Sequence, residues 1–342
     1  MSVTLADVAA AAGLSGSTVS RALSAPEKVN SQTRERVLRI AQEMGYVPNH
    51  TARSLTSGRT DLLGLIVPDI GNPFFPPIIK AVQARAQAKG RTVLIADTDE
   101  HTSDESVRAS EMRARVDGLI VVSPRSDATV LSEIARLGPA VFVNRIVPDQ
   151  TSIIVDAGDG MRQAVEHLAA LGHRTIAYLN GPRRSWSNQQ REKAVVEAAA
   201  DFDITVREYG PFEPQVQSGV HAADLILASD ATAVIAYDDL IALGVMARLN
   251  ERHISIGRDL SIIGVDDSPM SAMAYPTLTS VAVPGLQAGM AAVDAIVRRL
   301  ENPEISPETI TLETRLTVRS STGLAPQASD AGRLMQRGTH HG

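Results

Sequence analysis

Apolar residues recur along this chain in two rhythms. In the first fifty residues they fall three and four apart: Leu5, Val8, Ala9 and Ala12 make one face, and Val37, Leu38, Ile40, Ala41 and Met44 make another. Between them runs a shorter stretch through Thr18, Val19, Ser20, Arg21, Ala22 and Leu23. This spacing predicts three short helices and no strand. Polar residues supply the ends. Thr4 stands before the first helix with Asp7 three residues on, a capping-box pattern, and Gly13 breaks it. Ser15 caps the second, Ser31 opens the third, and Gly45 and Pro48 close it.

From Leu62 the rhythm changes to short aliphatic runs alternating with amphipathic stretches of helical length. Strands are predicted at 62–68, 92–97, 118–123, 140–144, 153–156, 175–179, 233–237, 261–266 and 279–283. Near-continuous apolar strands belong in parallel sheets covered on both faces, and the length of the alternating region predicts two such sheets. Two lobes with a cleft between them follow. Residues 325–342 are small, polar and aperiodic, and read as a disordered tail.

Composition narrows the function. A 342-residue chain with a 44% hydrophobic share predicts two or three buried cores. No run reaches the roughly 18 apolar residues that span a bilayer, and the start lacks the basic and apolar regions of a secretion signal. A cytoplasmic protein without a membrane partner is expected. The absence of cysteine excludes disulfide frameworks, thiolate zinc sites and cysteine nucleophiles. Charge is uneven: residues 1–60 hold seven Lys/Arg against four Asp/Glu, leaving +3 there and −9 in the rest of a chain whose net charge is −6. The basic end is the part suited to a phosphate backbone.

The first helices have the spacing of a helix-turn-helix. Ala9 is small where a second helix crosses, Gly13 supplies the positive φ of a tight turn, and Val19 fills the wedge between helices. Ser17 and Arg21 then face outward, where an Arg can donate two hydrogen bonds to a guanine. The plain alternative is a solvated helix face.

The run Val3-Thr4-Leu5-Ala6-Asp7-Val8-Ala9, then Gly13-Leu14-Ser15 and Thr18-Val19-Ser20-Arg21-Ala22-Leu23, resembles the lactose/galactose repressor family. So do Gly45-Tyr46-Val47-Pro48-Asn49 and Ala52-Arg53-Ser54-Leu55, and the similarity continues to about Leu324. The resemblance implies an α/β protein with an N-terminal helix-turn-helix at 1–48, a hinge helix and linker at 49–60, and a two-lobed periplasmic-binding-protein-like domain with parallel sheets at 61–324. It implies DNA contacts from Thr4, Ser15, Gly16, Ser17, Thr18, Ser20, Arg21 and Asn30 in the head. From the hinge it implies contacts by Asn49, Ala52, Arg53 and Leu55, with Leu55 wedged into a minor-groove step. A helix of about two turns cannot offset its own nucleation cost, so the hinge is expected to form only when paired on DNA; a plain linker is the alternative. Gly16 departs from the family pattern, leaving no side chain at the first base-reading position.

The same resemblance places an effector in the cleft. Phe75 follows the first strand of the α/β part, at the edge where open sheets bind ligands, and is expected to wall the site while Phe74 packs. Arg191 matches the family's effector arginine, whose planar fork suits neighbouring hydroxyls, and Trp186 is placed to stack on a sugar. Asp238 and Asp266 end strands and are expected to face the ligand, with Asp239 and Asp267 capping the helices that follow. Capping remains an alternative for all four. Asn144 ends another strand in the same way.

The expected function is a ligand-responsive repressor of sugar uptake or catabolism genes, released by a sugar, acting as a homodimer on pseudo-palindromic operator DNA. A purine or other metabolite as effector, or a solute-binding protein, are the alternatives. No catalytic residue, cofactor or metal is expected. Gly158-Asp159-Gly160 begins a glycine-rich loop, but Gln163 stands where a third glycine belongs. His167 and His173 are read as structural, and His340 and His341 lie in the tail.

Overall fold

The computed structural model describes residues 3–24, 28–46 and 59–326. The hinge positions Asn49, Ala52, Arg53 and Leu55, together with Pro48 and the tail residues 327–342, lie outside the described residues. The chain divides into two compact units between Thr60 and Asp61.

The first unit holds α1 (Leu5–Ala12), α2 (Gly16–Ser24) and α3 (Ser31–Glu43). Thr4 and Asp7 form the reciprocal capping box at the start of α1, and Gly13 ends that helix at φ 63°. Val8, Ala12, Val19 and Val37 are fully buried in a small core completed by Ala9, Ala22 and Ala41. One detail differs from the expected stripe. Leu38 is 43% exposed, because it lies one position past the buried Val37 and so turns off the core-facing side of α3. Ser31 opens α3 as expected, and Asn30 caps it from the position before: its Oδ1 accepts from the Gln32 amide at 2.9 Å.

The second unit contains two six-stranded sheets. In the first lobe, β1 (Leu62–Val67), β2 (Thr92–Asp97), β3 (Gly118–Val122), β4 (Ala140–Val143) and β5 (Thr151–Asp156) alternate with α4 (Phe75–Ala88), α5 (Thr102–Arg113) and α6 (Ala128–Arg136). In the second, β6 (Thr175–Leu179), β7 (Thr205–Tyr209), β8 (Ala233–Ala236), β9 (Ser261–Asp266) and β10 (Thr279–Ala282) alternate with α7 (Gly158–Ala170), α8 (Trp186–Asp201), α9 (Val216–Leu227), α10 (Asp239–Glu251) and α11 (Pro269–Met273). The chain then returns: α12 (Gly285–Glu301) buries Ala292, Val293 and Ile296 in the first lobe's core, β11 (Thr309–Glu313) joins the first sheet, and β12 (Arg315–Thr317) joins the second. Three crossovers therefore link the lobes, after β5, after β10 and between β11 and β12.

The sheet orders are β11-β5-β4-β3-β1-β2 and β12-β10-β9-β8-β6-β7. In both, the chain reverses direction across the sheet beside its first strand, at β1/β3 and β6/β8, and such switch points open a crevice at the carboxyl ends of the strands. The sheets are parallel as expected, except that β12 pairs antiparallel with β10. Strands β7, β11 and β12 are absent from the sequence-based list. They are edge strands of mixed polarity, such as Thr-Val-Arg-Glu-Tyr and Thr-Ile-Thr-Leu-Glu, and carry no aliphatic run. Conversely, β3 and β4 stop one residue short of the predicted ends, where Ser123 and Asn144 turn to φ 45° and 55°. His173 is buried at the sheet edge, its ring nitrogens bonded to Thr232 Oγ1, Ser261 Oγ and the Gly323 carbonyl. Gly160, in the glycine-rich run, gives its amide to Thr314 Oγ1. Among the described residues no helix is long and apolar enough to cross a membrane.

Candidate DNA-reading head and effector cleft

At the start of α2 three hydroxyls gather. Ser15 Oγ accepts from the Thr18 amide at 3.2 Å and lies 3.0 Å from Ser17 Oγ and 2.8 Å from Thr18 Oγ1. Arg21 returns its Nε–H to the Ser17 carbonyl at 3.1 Å, which keeps its guanidinium on the helix surface. Ser17, Ser20 and Arg21 are exposed on neighbouring turns. Thr4 is spent locally: its amide donates to Asp7 Oδ2 at 2.8 Å and its hydroxyl to the same oxygen at 2.7 Å, and the backbone bond first, then the hydroxyl, hold the Asp7 carboxyl below its usual range. Asn30 is likewise engaged as a cap. Space does not demand glycine at position 16: a Cβ there would meet Leu5 Cδ2 at 3.6 Å, an ordinary contact.

In the second unit the carboxyl ends of both sheets converge on a cavity of about 300 Å³, its open mouth included. The first lobe supplies Asn72, Phe74 and Phe75 after β1, and Ser123 and Arg125 after β3. The second supplies Ser187 and Arg191 on α8, Tyr237 and Asp238 after β8, and Asp266 at the end of β9. Arg191 is buried at the centre. It donates to the Tyr237 carbonyl at 2.5 Å, lies 4.9 Å over the Tyr237 ring and reaches Asp266 Oδ1 at 3.5 Å. Burial pushes the Asp238 carboxyl up to about 7 and raises Asp266 well above the usual carboxylate range. Asp238 Oδ1 accepts from the Ile241 amide at 2.9 Å, while its Oδ2 is buried without a close hydrogen bond, the Asn72 side chain only partly offsetting the effect of burial.

A buried carboxylate oxygen without a donor costs free energy unless something brings one. Arg191 can donate to hydroxyl oxygens and Asp238 can accept from hydroxyl hydrogens, so the wall offers both halves of a polyol's hydrogen-bonding capacity. A second cavity of about 320 Å³ adjoins the first through Ser187 and Arg191; it is lined by Asn144, Gln190 and aliphatic side chains such as Val155, Met161, Val265 and Val281. Val155, Val283 and Thr314 flank the three crossovers, which puts this second space at the hinge between the lobes.

Several expectations are redrawn. Asp238 caps α10, whereas Asp239 does not: its oxygens accept from Ser271 Oγ at 2.6 Å, Ser280 Oγ at 2.6 Å and the Ser268 amide at 2.7 Å, tying β10 and α11 to α10. Asp267 also caps nothing; it pairs with Arg319 at 2.5 Å and accepts from Thr317 Oγ1 at 3.1 Å. Phe75 is 2% exposed and belongs to the first lobe's core, because α4 turns it onto the sheet, while the half-buried Phe74 packs edge-on against it. Both rings reach the cavity wall. Trp186 lines neither cavity, since it opens α8 five positions before Arg191, about 140° round the helix from it. Asn144 lines the hinge cavity, but its amide is engaged with Ser123 Oγ at 3.2 Å and the Val155 amide at 3.2 Å. Sequence reasoning missed Asn72, Ser123, Arg125, Ser187 and Tyr237. Ser123 and Tyr237 stand immediately beyond a strand, a signal that could have found them, whereas Asn72, Arg125 and Ser187 carry no such mark.

Comparison with known proteins adds an independent line. Residues 4–49 match the bacterial regulatory proteins of the lacI family, and residues 165–322 match the periplasmic binding protein-like domain. The chain is 31% identical to the HTH-type transcriptional regulator DegA of Bacillus subtilis (strain 168), over 94% of this chain and 98% of that protein. Its structure resembles the lac repressor dimer bound to operator and the anti-inducer ONPF, with a TM-score of 0.84 and 29% identity, covering 94% of this chain and all of the other. It also resembles a complex of the transcriptional regulator CelR with cellobiose, with a TM-score of 0.70 and 29% identity, covering 93% and 99%.

Proposed function

We propose, because this chain belongs to the lacI family of bacterial regulatory proteins, that a sugar held by Arg191, Asp238 and Asp266 governs its grip on operator DNA. The protein is a DNA-binding, ligand-responsive transcription regulator and not an enzyme. The observation that carries the sugar reading is the unpartnered Asp238 Oδ2, buried beside the Arg191 guanidinium in a cavity with acceptors and donors on its walls. An apolar ligand could bring that oxygen no hydrogen-bond donor.

In this reading residues 1–48 read DNA, 49–60 form the hinge, and 61–324 sense the effector and dimerise, in the cytoplasm. Ser17, Ser20 and Arg21 face the base edges; Ser15, Thr18, Thr4 and Asn30 fix the backbone register; and in each protomer's hinge Leu55 wedges into a minor-groove step, Ala52 permits close approach, and Asn49 and Arg53 add contacts, Arg53 to the DNA backbone. Sugar binding changes how the lobes close and so unpairs those hinges, releasing a repressor of sugar uptake or catabolism genes. A ligand shifts such an equilibrium only by its differential affinity for the two forms.

Selection from a randomised duplex library at moderate salt tests this, repeated with D-glucose, D-ribose or cellobiose present. One pseudo-palindromic sequence should be enriched, and one of the sugars should weaken its binding at least about tenfold, a shift of roughly 1.4 kcal/mol. Enrichment of no sequence, or an affinity indifferent to all three sugars, would contradict the reading.

A further inference from the structure

Arg191, Asp238 and Asp266 all belong to the second lobe, yet a ligand that controls closure must also be gripped by the first. The first lobe presents one charged side chain to the same cavity, Arg125, which is only 5% exposed. Its guanidinium is clamped from behind: Nε and one terminal nitrogen donate to the two carboxylate oxygens of Glu100 at 2.6 and 2.8 Å, and the other terminal nitrogen donates to the Ser123 carbonyl at 2.9 Å. Glu105, buried on the first turn of α5, fixes the backbone beneath it, accepting from the Arg125 and Ser126 amides at 2.5 and 3.0 Å. Glu100 reaches Arg125 from a residue held at φ 59°, with its own amide given to the Pro68 carbonyl.

A guanidinium has five N–H bonds in a rigid plane, and three are engaged here. We propose that Arg125 is a specificity-determining residue of the cleft, offering its two remaining N–H bonds to oxygens of the bound polyol and thereby tying the first lobe to a ligand held by the second. The proposal rests on the reading of the cavity as a polyol site. The anchoring by Glu100 and Glu105 means that the side chain is ordered before ligand arrives, so little of the hydrogen-bond energy is lost to fixing a flexible arginine. Its fork also selects: an oxygen within reach of both N–H bonds is favoured, and a sugar lacking that hydroxyl leaves a buried charged donor without an acceptor.

Calorimetric titration of the full chain with D-glucose, D-ribose and cellobiose tests this, followed by single-deoxy analogues of whichever sugar binds. R125M should bind that sugar about 10- to 100-fold more weakly, the range expected for losing a hydrogen bond to a charged donor, and R125K should recover part of the loss. One deoxy analogue should bind the unaltered protein about tenfold worse than its parent but bind R125M no worse than the parent does, a non-additivity that a merely structural arginine would not produce. Should R125M fail to fold with Glu100 left unpaired, R125M/E100Q carries the same measurements. Unchanged parent affinity, or unchanged discrimination against every deoxy analogue, overturns the assignment while the polyol reading stands. Failure of the unaltered protein to bind any of the three sugars overturns both.

Discussion

Replacing Arg191 by methionine is expected to lower sugar affinity at least about 100-fold while leaving the fold intact, as read by calorimetric titration alongside thermal unfolding. The binding loss follows from position: Arg191 is buried where the two cavities meet, and hydrogen bonds from a charged donor contribute about 1.5–3 kcal/mol each. The small stability loss needs a separate reason, because breaking a buried ion pair ordinarily costs about 3–5 kcal/mol. Here the partner escapes that penalty. Burial already raises the Asp266 carboxyl, and Arg191 is the charge that opposes the rise, so without it Asp266 takes up a proton more readily and leaves no bare charge behind. What remains is the contact with the Tyr237 carbonyl and ring, about 1–2 kcal/mol. A variant that bound sugar as before would remove Arg191 from the site.

The largest effect on stability is expected from Gly244→Ala. Helices α9 and α10 cross with Gly219 facing Gly244: a Cβ at Gly244 would overlap the Val216 carbonyl oxygen and stand 2.9 Å from the Gly219 Cα, and a Cβ at Gly219 would overlap the Ile241 carbonyl oxygen. Both obstacles are backbone, which no rotamer change relieves, so the helices must separate and loosen the core around Ala222, Ile226, Val245 and Leu249. Overpacking of this kind costs about 3 kcal/mol, which corresponds to roughly 6–12 °C in the melting temperature of a domain of this size. Because Asp238 caps the first turn of α10, sugar affinity should fall as well. A melting temperature within about 2 °C of the unaltered protein would show that the crossing has room that the backbone distances deny.

Why parts of this architecture were legible beforehand is a matter of burial. Central strands such as Gly118–Val122 and Ala233–Ala236 are covered on both faces, and their composition states it as an unbroken aliphatic run. Edge strands such as Thr205–Tyr209 face water along much of their length, so their composition resembles a loop. In the first unit, Thr4, Asp7 and Gly13 act through neighbours three or four residues away, a distance at which sequence spacing alone specifies geometry.

The cleft was legible in location and less so in detail. Phe75, Arg191, Asp238 and Asp266 meet at one cavity because each follows or ends a strand near a switch point, which a strand list already implies. The division of labour between Asp238 and Asp239 depends on which carboxylate turns back to the Ile241 amide and which meets Ser271 and Ser280, partners 32 and 41 residues further on. Arg125 gave no local sign at all. A lone arginine after Pro124 reads as a solvated charge, and what buries it is Glu100, 25 residues earlier, together with the walls of a cleft assembled from two lobes.

The central claim is that the basic head alone holds DNA and the acidic body alone holds sugar. Binding of the selected operator and of the best sugar should therefore be measured by titration for the full chain and for a chain beginning at Asp61, which is a compact unit by itself. The account predicts that the shortened protein loses operator affinity to the level of random duplex while its sugar affinity stays within about twofold, less than 0.5 kcal/mol. Retention of operator binding by the shortened protein, or loss of sugar binding with its fold intact, would contradict it.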